Sequence, residues 1–433
     1  MTKYIFIIIV LVLLNNCSLN KNSSLWDNKQ NELEAKKNYK KVLVKDEKII
    51  SEFNKDLRLN LSEINLSKNK FFENENNFGS QKYEGKFNKI GKYNFSKLDL
   101  LDKLNLTPIF FEDGLIFFDK KGSIIRYDKN QKVLWKVNYY SKQERKLQPK
   151  LNLILDNQNI LITDNIAKYY SINLSNGKLK WSKNNTYPFN SEIKKHKDMI
   201  FVVDYKNTLR CFKINDGSEC WKLRTEDSFR ISNSIYSVII TNNNVFFNNS
   251  LGDITAVDLE TGLIVWQLPT QSINILKETH NFKMSNLISD SKSIFFSNTK
   301  NEFYSIDVNS GTINWRNEIN SDITPVILEN LIFTISREGF LYVIEKNNGN
   351  IIRITDIYKD YRLKKAKDIN PVGFAIGNKN LYLTNKDGRM FVVDLSFGNT
   401  IKIEKISGNI ISKPFIFNNN LYVVRDGSIL QYN

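Results

Sequence analysis

Gly252-Asp-Ile-Thr-Ala-Val-Asp258-Leu-Glu-Thr-Gly262-Leu-Ile-Val-Trp266 alternates apolar and polar residues from Asp253 to Leu259, turns at residues 260–262 and closes on a tryptophan. Two antiparallel strands joined by a tight hairpin satisfy this pattern. Asp258 can fold its carboxylate onto the amides of the turn, and Gly262 can supply the positive φ that ends it.

The same frame returns along the chain. Trp135, Trp181, Trp221, Trp266 and Trp315 share one phase of the repeat, and Gly177, Gly217, Gly262 and Gly311 stand in the turns before the last four. Two further copies keep the frame but place Arg353 and Lys402 where the tryptophan belongs, and the first copy lacks the second glycine. A period of roughly 40–50 residues built only from short strands signals a β-propeller with one four-stranded sheet per repeat. An indole at a fixed phase of successive repeats is a wedge between blades; a ligand-stacking row would be needed on one side only. Blades six and seven, with Arg353 and Lys402, are therefore expected to dock less tightly.

The last repeat shows three strands, over residues 411–417, 421–425 and 428–432, before Asn433. An open ring would expose an unpaired edge. Residues 92–100, with Tyr93, Phe95 and Leu98, are the expected source of the missing outer strand. Seven complete repeats and one composite give an all-β, eight-bladed propeller over residues 83–433.

Upstream, Lys3 and the apolar run 4–14 read as a secretory signal, residues 1–16, too short to span a bilayer permanently. Residues 17–82 are rich in Lys, Asn, Glu and Ser and read as a polar tether. The formal net charge is +16, spread along the chain. A nucleic-acid binder gathers such charge on one face with interleaved aromatics, so no nucleic acid is expected as partner.

The motif 258–266, echoed by Asp307-Val-Asn-Ser-Gly311-Thr-Ile-Asn-Trp315, resembles the tryptophan-docking repeat of pyrroloquinoline-quinone-type propellers. Leu14-Asn-Asn-Cys17 is similar to the lipobox of bacterial lipoproteins. Together they resemble the BamB family, lipoproteins of the outer-membrane β-barrel assembly machinery. The resemblance implies acylation of Cys17 by palmitate-type chains, and Ser18 after it implies anchorage on the periplasmic face of the outer membrane. It further implies a scaffold with no cofactor and no enzymatic activity, whose partner is a POTRA domain of a BamA-like protein. Phe229 and Arg230, with Arg224 nearby, stand where the family's third inter-blade loop carries its apolar and arginine contacts. Unfolded outer-membrane proteins, paired along outer blade edges, are a further partner the architecture permits.

Two alternatives remain open at this stage: a quinoprotein dehydrogenase of the same superfamily, and a propeller organising another envelope complex. The dehydrogenase branch carries calcium-binding acids and a disulfide between adjacent cysteines. Here the recurrent acids Asp128, Asp258, Asp307, Glu345 and Asp394 share a hairpin-turn phase suited to capping. Cys211 and Cys220 flank a turn, where register decides whether they pair. His196 and His280 read as loop residues without a second metal ligand near them, so no metal site is expected. Basic clusters at 142–150, 222–230 and 362–367 fall in inter-blade links on one rim.

Overall fold

Val, Ile, Phe and Tyr crowd the middle strands of each repeat, as in Asn244–Asn248 (Asn-Val-Phe-Phe-Asn) and Ile254–Asp258 (Ile-Thr-Ala-Val-Asp), and these strands are buried on both faces. A strand apolar on both sides needs a sheet against each face, and radial stacking of blades supplies both. The computed structural model describes residues 50–64, 74–77, 79–98, 107–226, 235–270, 282–364 and 370–433. In these, eight four-stranded antiparallel sheets follow one another, each strand hydrogen-bonded to the next in sequence. Blades one to seven span 109–137, 151–184, 194–224, 238–268, 288–317, 326–356 and 371–405.

Blade eight joins Phe415–Phe417, Asn420–Arg425 and Ser428–Tyr432 to Lys89–Asn94, which pairs antiparallel to the last of these. The ring closes through an N-terminal strand, as the repeat count requires. The closing strand lies a few residues before the expected 92–100, because Gly91 falls beside Gln431 and carries the pairing upstream. The blade's inner strand is correspondingly shorter than expected.

In blades one to seven a bulge interrupts the outer strand one residue before the wedge position: Ala256 faces Trp266, Val257 faces Ile264, and Val265 is the extra residue. A bulge turns its strand and re-aims the next side chain. The indole consequently reaches the neighbouring blade. Trp135, Trp181, Trp221, Trp266 and Trp315 donate Nε1–H to the carbonyls of Leu174, Ile214, Leu259, Val308 and Lys346 at 3.0–3.1 Å. Each ring lies on the turn glycine of the next blade. At Gly311, φ is +70° and a Cβ would stand 2.6 Å from the Trp266 ring, so backbone conformation and packing both require glycine.

Arg353 corrects one expectation. It is fully buried, and its guanidinium donates to the carbonyls of Leu395 (3.0 Å), Ser396 (2.5 Å) and Leu57 (3.1 Å). Leu395 occupies the place that Leu259 holds for Trp221, so arginine reproduces the indole bond and adds two more. This junction is not a loose one. Lys402 is half-exposed and lies 5.8 Å over the Phe87 ring, which itself stacks on Tyr432 at 4.4 Å. An aromatic ring from the N-terminal side fills that junction.

The stretch read as tether also differs in part. Glu52–Asn433 forms one compact unit, so residues 52–64, 74–77 and 79–82 belong with the propeller body. Phe53 exchanges backbone hydrogen bonds with Ile354 on the outer strand of blade six, and Leu59 and Ile64 are buried in the core between blades six and seven. Cys17 lies outside the described residues.

Candidate docking rim and axial channel

Two turn systems end the blades, one on each face of the ring. The acids named from the sequence do cap the hairpins between third and fourth strands: Asp258 Oδ1 accepts from the amides of Glu260 (3.2 Å) and Thr261 (2.8 Å), and Asp307 Oδ1 from those of Asn309 (3.0 Å) and Ser310 (2.8 Å). These bonds hold both carboxyls below the ordinary range, led by the Thr261 hydroxyl and the Ser310 amide respectively. A second series went unread in the sequence. Asp119, Asp164, Asp204, Asn249 and Asn298 end second strands, are buried, and accept from turn amides such as those of Lys121, Ile166, Lys206, Leu251 and Lys300. Their signal was available as an Asp or Asn at one phase of the repeat.

The inter-blade link after blade three starts on the turn that Asp204 caps. Asn207, buried at φ +55°, receives the Thr225 amide on its carbonyl (3.1 Å) and donates its side-chain amide to the Glu226 carbonyl (2.6 Å). The same side chain bonds Ser250 Oγ in the turn of blade four. At the far end, the Tyr236 amide donates to the Asn190 carbonyl at 2.8 Å. Both feet of the link are fixed. Arg224 closes the outer strand of blade three, exposed and opposite Thr208. Phe229 and Arg230 lie outside the described residues. Of the other basic links, the first carries exposed Lys142, Lys146 and Lys150 beside Leu147, which is 63% exposed; the side chains of 362–367 are not described.

Blade one's link is held by buried groups. Tyr140 Oη donates to Asp164 Oδ2 at 2.5 Å, and Lys168 Nζ donates to the Tyr139 carbonyl. Burial raises the Asp164 carboxyl to about 6, against the lowering effect of the Tyr140 bond.

At the axis, the inner strands of blades three to seven receive the chain's own N-terminal residues. Asn76 donates to Glu192 Oε1 (2.7 Å) and to the Leu287 carbonyl (3.1 Å), and accepts from Lys194 Nζ (2.6 Å). Glu75 accepts from Thr241 and Ser291, while the Ile240 amide donates to the Asn74 carbonyl. Ser80 then pairs in parallel with Ile376 and donates to the Ile327 carbonyl. Lys413 joins the cluster from blade eight; burial lowers its ammonium, Glu192 raises it and Lys194 lowers it. His196 ends the inner strand of blade three, half-buried and opposite Met199, and is not a loop residue; His280 lies outside the described residues.

A quinone with its calcium would require an open axial cavity and converging oxygen ligands. Among the described residues no three His, Cys, Asp or Glu side chains are placed to share a metal ion, and Asn74–Asn77 stands against the inner strands. The described residues do not fit that group.

A propeller of wedge-docked four-stranded blades, closed by its own N-terminal strand, is the pyrroloquinoline-quinone-repeat class. Residues 120–355 match the family described as "Outer membrane protein assembly factor BamB", and the chain belongs to that family. Among solved structures, BamB from Moraxella catarrhalis is 15% identical with a TM-score of 0.64, covering 80% of this chain and 99% of that one. The quinohemoprotein alcohol dehydrogenase from Comamonas testosteroni is 9% identical with a TM-score of 0.60, covering 80% and 76%. The computationally designed Ika8 protein is 12% identical with a TM-score of 0.59, covering 78% and 99%. At these identities the likeness is one of fold. No curated protein matches the chain.

Proposed function

We infer that this chain is a non-enzymatic scaffold of outer-membrane β-barrel assembly, docking a POTRA domain of a BamA-type insertase through the link after blade three. Family membership carries the reading. The ends of the link support it: Asn207 holds residues 225–226 and Asn190 holds Tyr236, so both attachment points are fixed before a partner binds. Phe229 is the apolar anchor and Arg230 its charged neighbour, with Arg224 at the strand end and the basic links steering an acidic surface. The axial residues argue against the dehydrogenase alternative, because Asn74–Asn77 stands against the inner strands, with Asn76 bonded to Glu192 and Lys194 of blade three. Residues 1–16 act as the signal and Cys17 as the lipid attachment, which hold the propeller at the periplasmic face of the outer membrane. Among the described residues no helix is long and apolar enough to cross a membrane.

Copurification of the assembly protein with a Phe229→Ala, Arg230→Glu double variant tests this. Recovery is expected to fall at least tenfold, and undiminished recovery counts against the docking proposal. A partner set without barrel-assembly components would favour a scaffold for another envelope complex.

A further inference from the structure

Blade three differs from its neighbours at the outer-strand bulge. Cys211 on Thr208–Lys213 faces Trp221, Phe212 faces Glu219, and Cys220 is the inserted residue, so two residues of Glu219–Arg224 stand opposite Cys211. The equivalent inserted residues Leu134, Val265 and Ile401 are 50%, 47% and 61% exposed, whereas Cys220 packs into the hydrophobic cluster that contains Cys211. Blade five shows what side chains at these two positions do. Its inserted residue Asn314 donates Nδ2–H to Ser305 Oγ, the counterpart of Cys211, at 3.2 Å. In blade three Cys220 takes the place of Asn314 and, after burial, is the next cause that pushes the Cys211 thiol up. Two residues stand opposite Cys211 at the bulge, and the contact of Asn314 with Ser305 in blade five shows that the inserted side chain reaches the third strand there.

We propose that Cys211 and Cys220 are a built oxidation site: a dithiol that a disulfide oxidant converts to an intra-blade disulfide between the third and fourth strands of blade three. The order of events follows from burial. Cys211 is wholly buried, and burial pushes its thiol up, so half-buried Cys220 reacts first. Its thiolate attacks the oxidant's disulfide and forms a mixed disulfide, releasing one thiol. Cys211 then loses its proton, attacks the Cys220 sulfur and expels the second oxidant thiol. Two protein thiols are oxidised and one disulfide is reduced to two thiols, a balanced two-electron exchange. The bond would tie Trp221's strand to its neighbour one residue from the indole.

Trypsin makes the test direct, because Lys213 lies between the two cysteines. The folded full-length protein is equilibrated with excess oxidised glutathione, blocked with an alkylating agent and digested. Peptides 211–213 and 214–222 are expected as one linked species that separates on reduction. In Cys211→Ser, peptide 214–222 is expected to carry one glutathione. In Cys220→Ser, peptide 211–213 is expected to stay unmodified until the protein is denatured. Wild-type protein that yields both peptides free, or that accumulates glutathione on 214–222 without linkage, overturns the proposal. Cys17 lies in a different peptide and does not interfere.

Discussion

Five blade junctions are closed by an indole and three are not, and the two groups solve the same problem with different parts. From blade one to blade six each tryptophan seats on a glycine and donates to one carbonyl. Between blades six and seven the donor is Arg353, with a carbonyl of the N-terminal segment as one of its acceptors. Between seven and eight the wedge is Phe87 against Tyr432. Between eight and one the pattern inverts: Gly91 stands at the wedge position, and Gln131, at φ +65° where a glycine is usual, donates to the Lys129 carbonyl itself. Each of the three exceptions has a residue from the N-terminal side in it: Leu57, Phe87 and Gly91. The wedge is thus dispensable as a residue type where another part of the chain can cover the gap.

The largest effect expected from this contrast comes from removing that part. Deleting residues 1–94 takes away the outer strand of blade eight, Phe87 and the Leu57 carbonyl together, and is expected to abolish cooperative unfolding in a denaturant melt. Deleting 1–49 should leave the midpoint unchanged. A fully cooperative 95–433 fragment would show that the ring closes without its N-terminal strand.

Arg353→Ala is the next largest. It removes the donor from the Leu57 and Leu395 carbonyls, at about 1–3 kcal/mol each, while the Ser396 carbonyl keeps the Leu59 amide; with the lost packing about 3–5 kcal/mol is expected overall. Trp266→Ala removes a half-buried ring and one hydrogen bond, for about 2–4 kcal/mol. Urea midpoints at equal m-value decide the order. If Arg353→Ala proves the milder, the six–seven junction is the loose one that composition suggested.

That disagreement shows what the sequence could and could not convey. Blade number and closure were legible because glycine and tryptophan mark two phases of one repeat, and their joint recurrence has few other physical solutions. Arg353 misled because burial of a guanidinium depends on carbonyls brought from residues 57, 395 and 396, which no local pattern announces. Asn74-Glu-Asn-Asn77 reads as linker, since it docks through hydrogen bonds to Lys194, Glu192, Thr241 and Ser291 and has no apolar period. On the rim, Asn207 in the sequence marks only a turn phase of the repeat. Its second role, fixing the foot of the next link, appears once the turn of blade four is in place.

The two groups of junctions also separate by pH. Arg353, lowered by burial to about 10, stays charged across the acid range, so its junction contributes no slope there. Asp164, beside the first indole junction, is raised by burial from 3.8 to about 6. Between these values the folded chain holds a proton that the unfolded chain has released. Stability from this group is therefore full below about pH 4, falls as pH rises and levels off above about pH 6. The wild type is expected to lose about 2–3 kcal/mol relative to Asp164→Asn over that window. Parallel curves would place the ionised carboxylate in a better-solvated site than its burial implies.

The smallest expected effect concerns which part of the seven–eight junction is the wedge. Lys402 is about half exposed, reaches Glu404 and overlies the Phe87 ring, a cation–π contact of about 0.5–1 kcal/mol at such a site. Phe87 touches Tyr432 and Tyr382 and replaces the indole's area, so Phe87→Ala should cost about 1–3 kcal/mol and Lys402→Ala less than about 1. The double variant should cost little more than Phe87→Ala alone, because the ammonium loses its ring in either case. A Lys402→Ala loss equal to or above that of Phe87→Ala would mean that the residue at the repeat's own wedge phase still closes this junction, and that the N-terminal ring merely covers it.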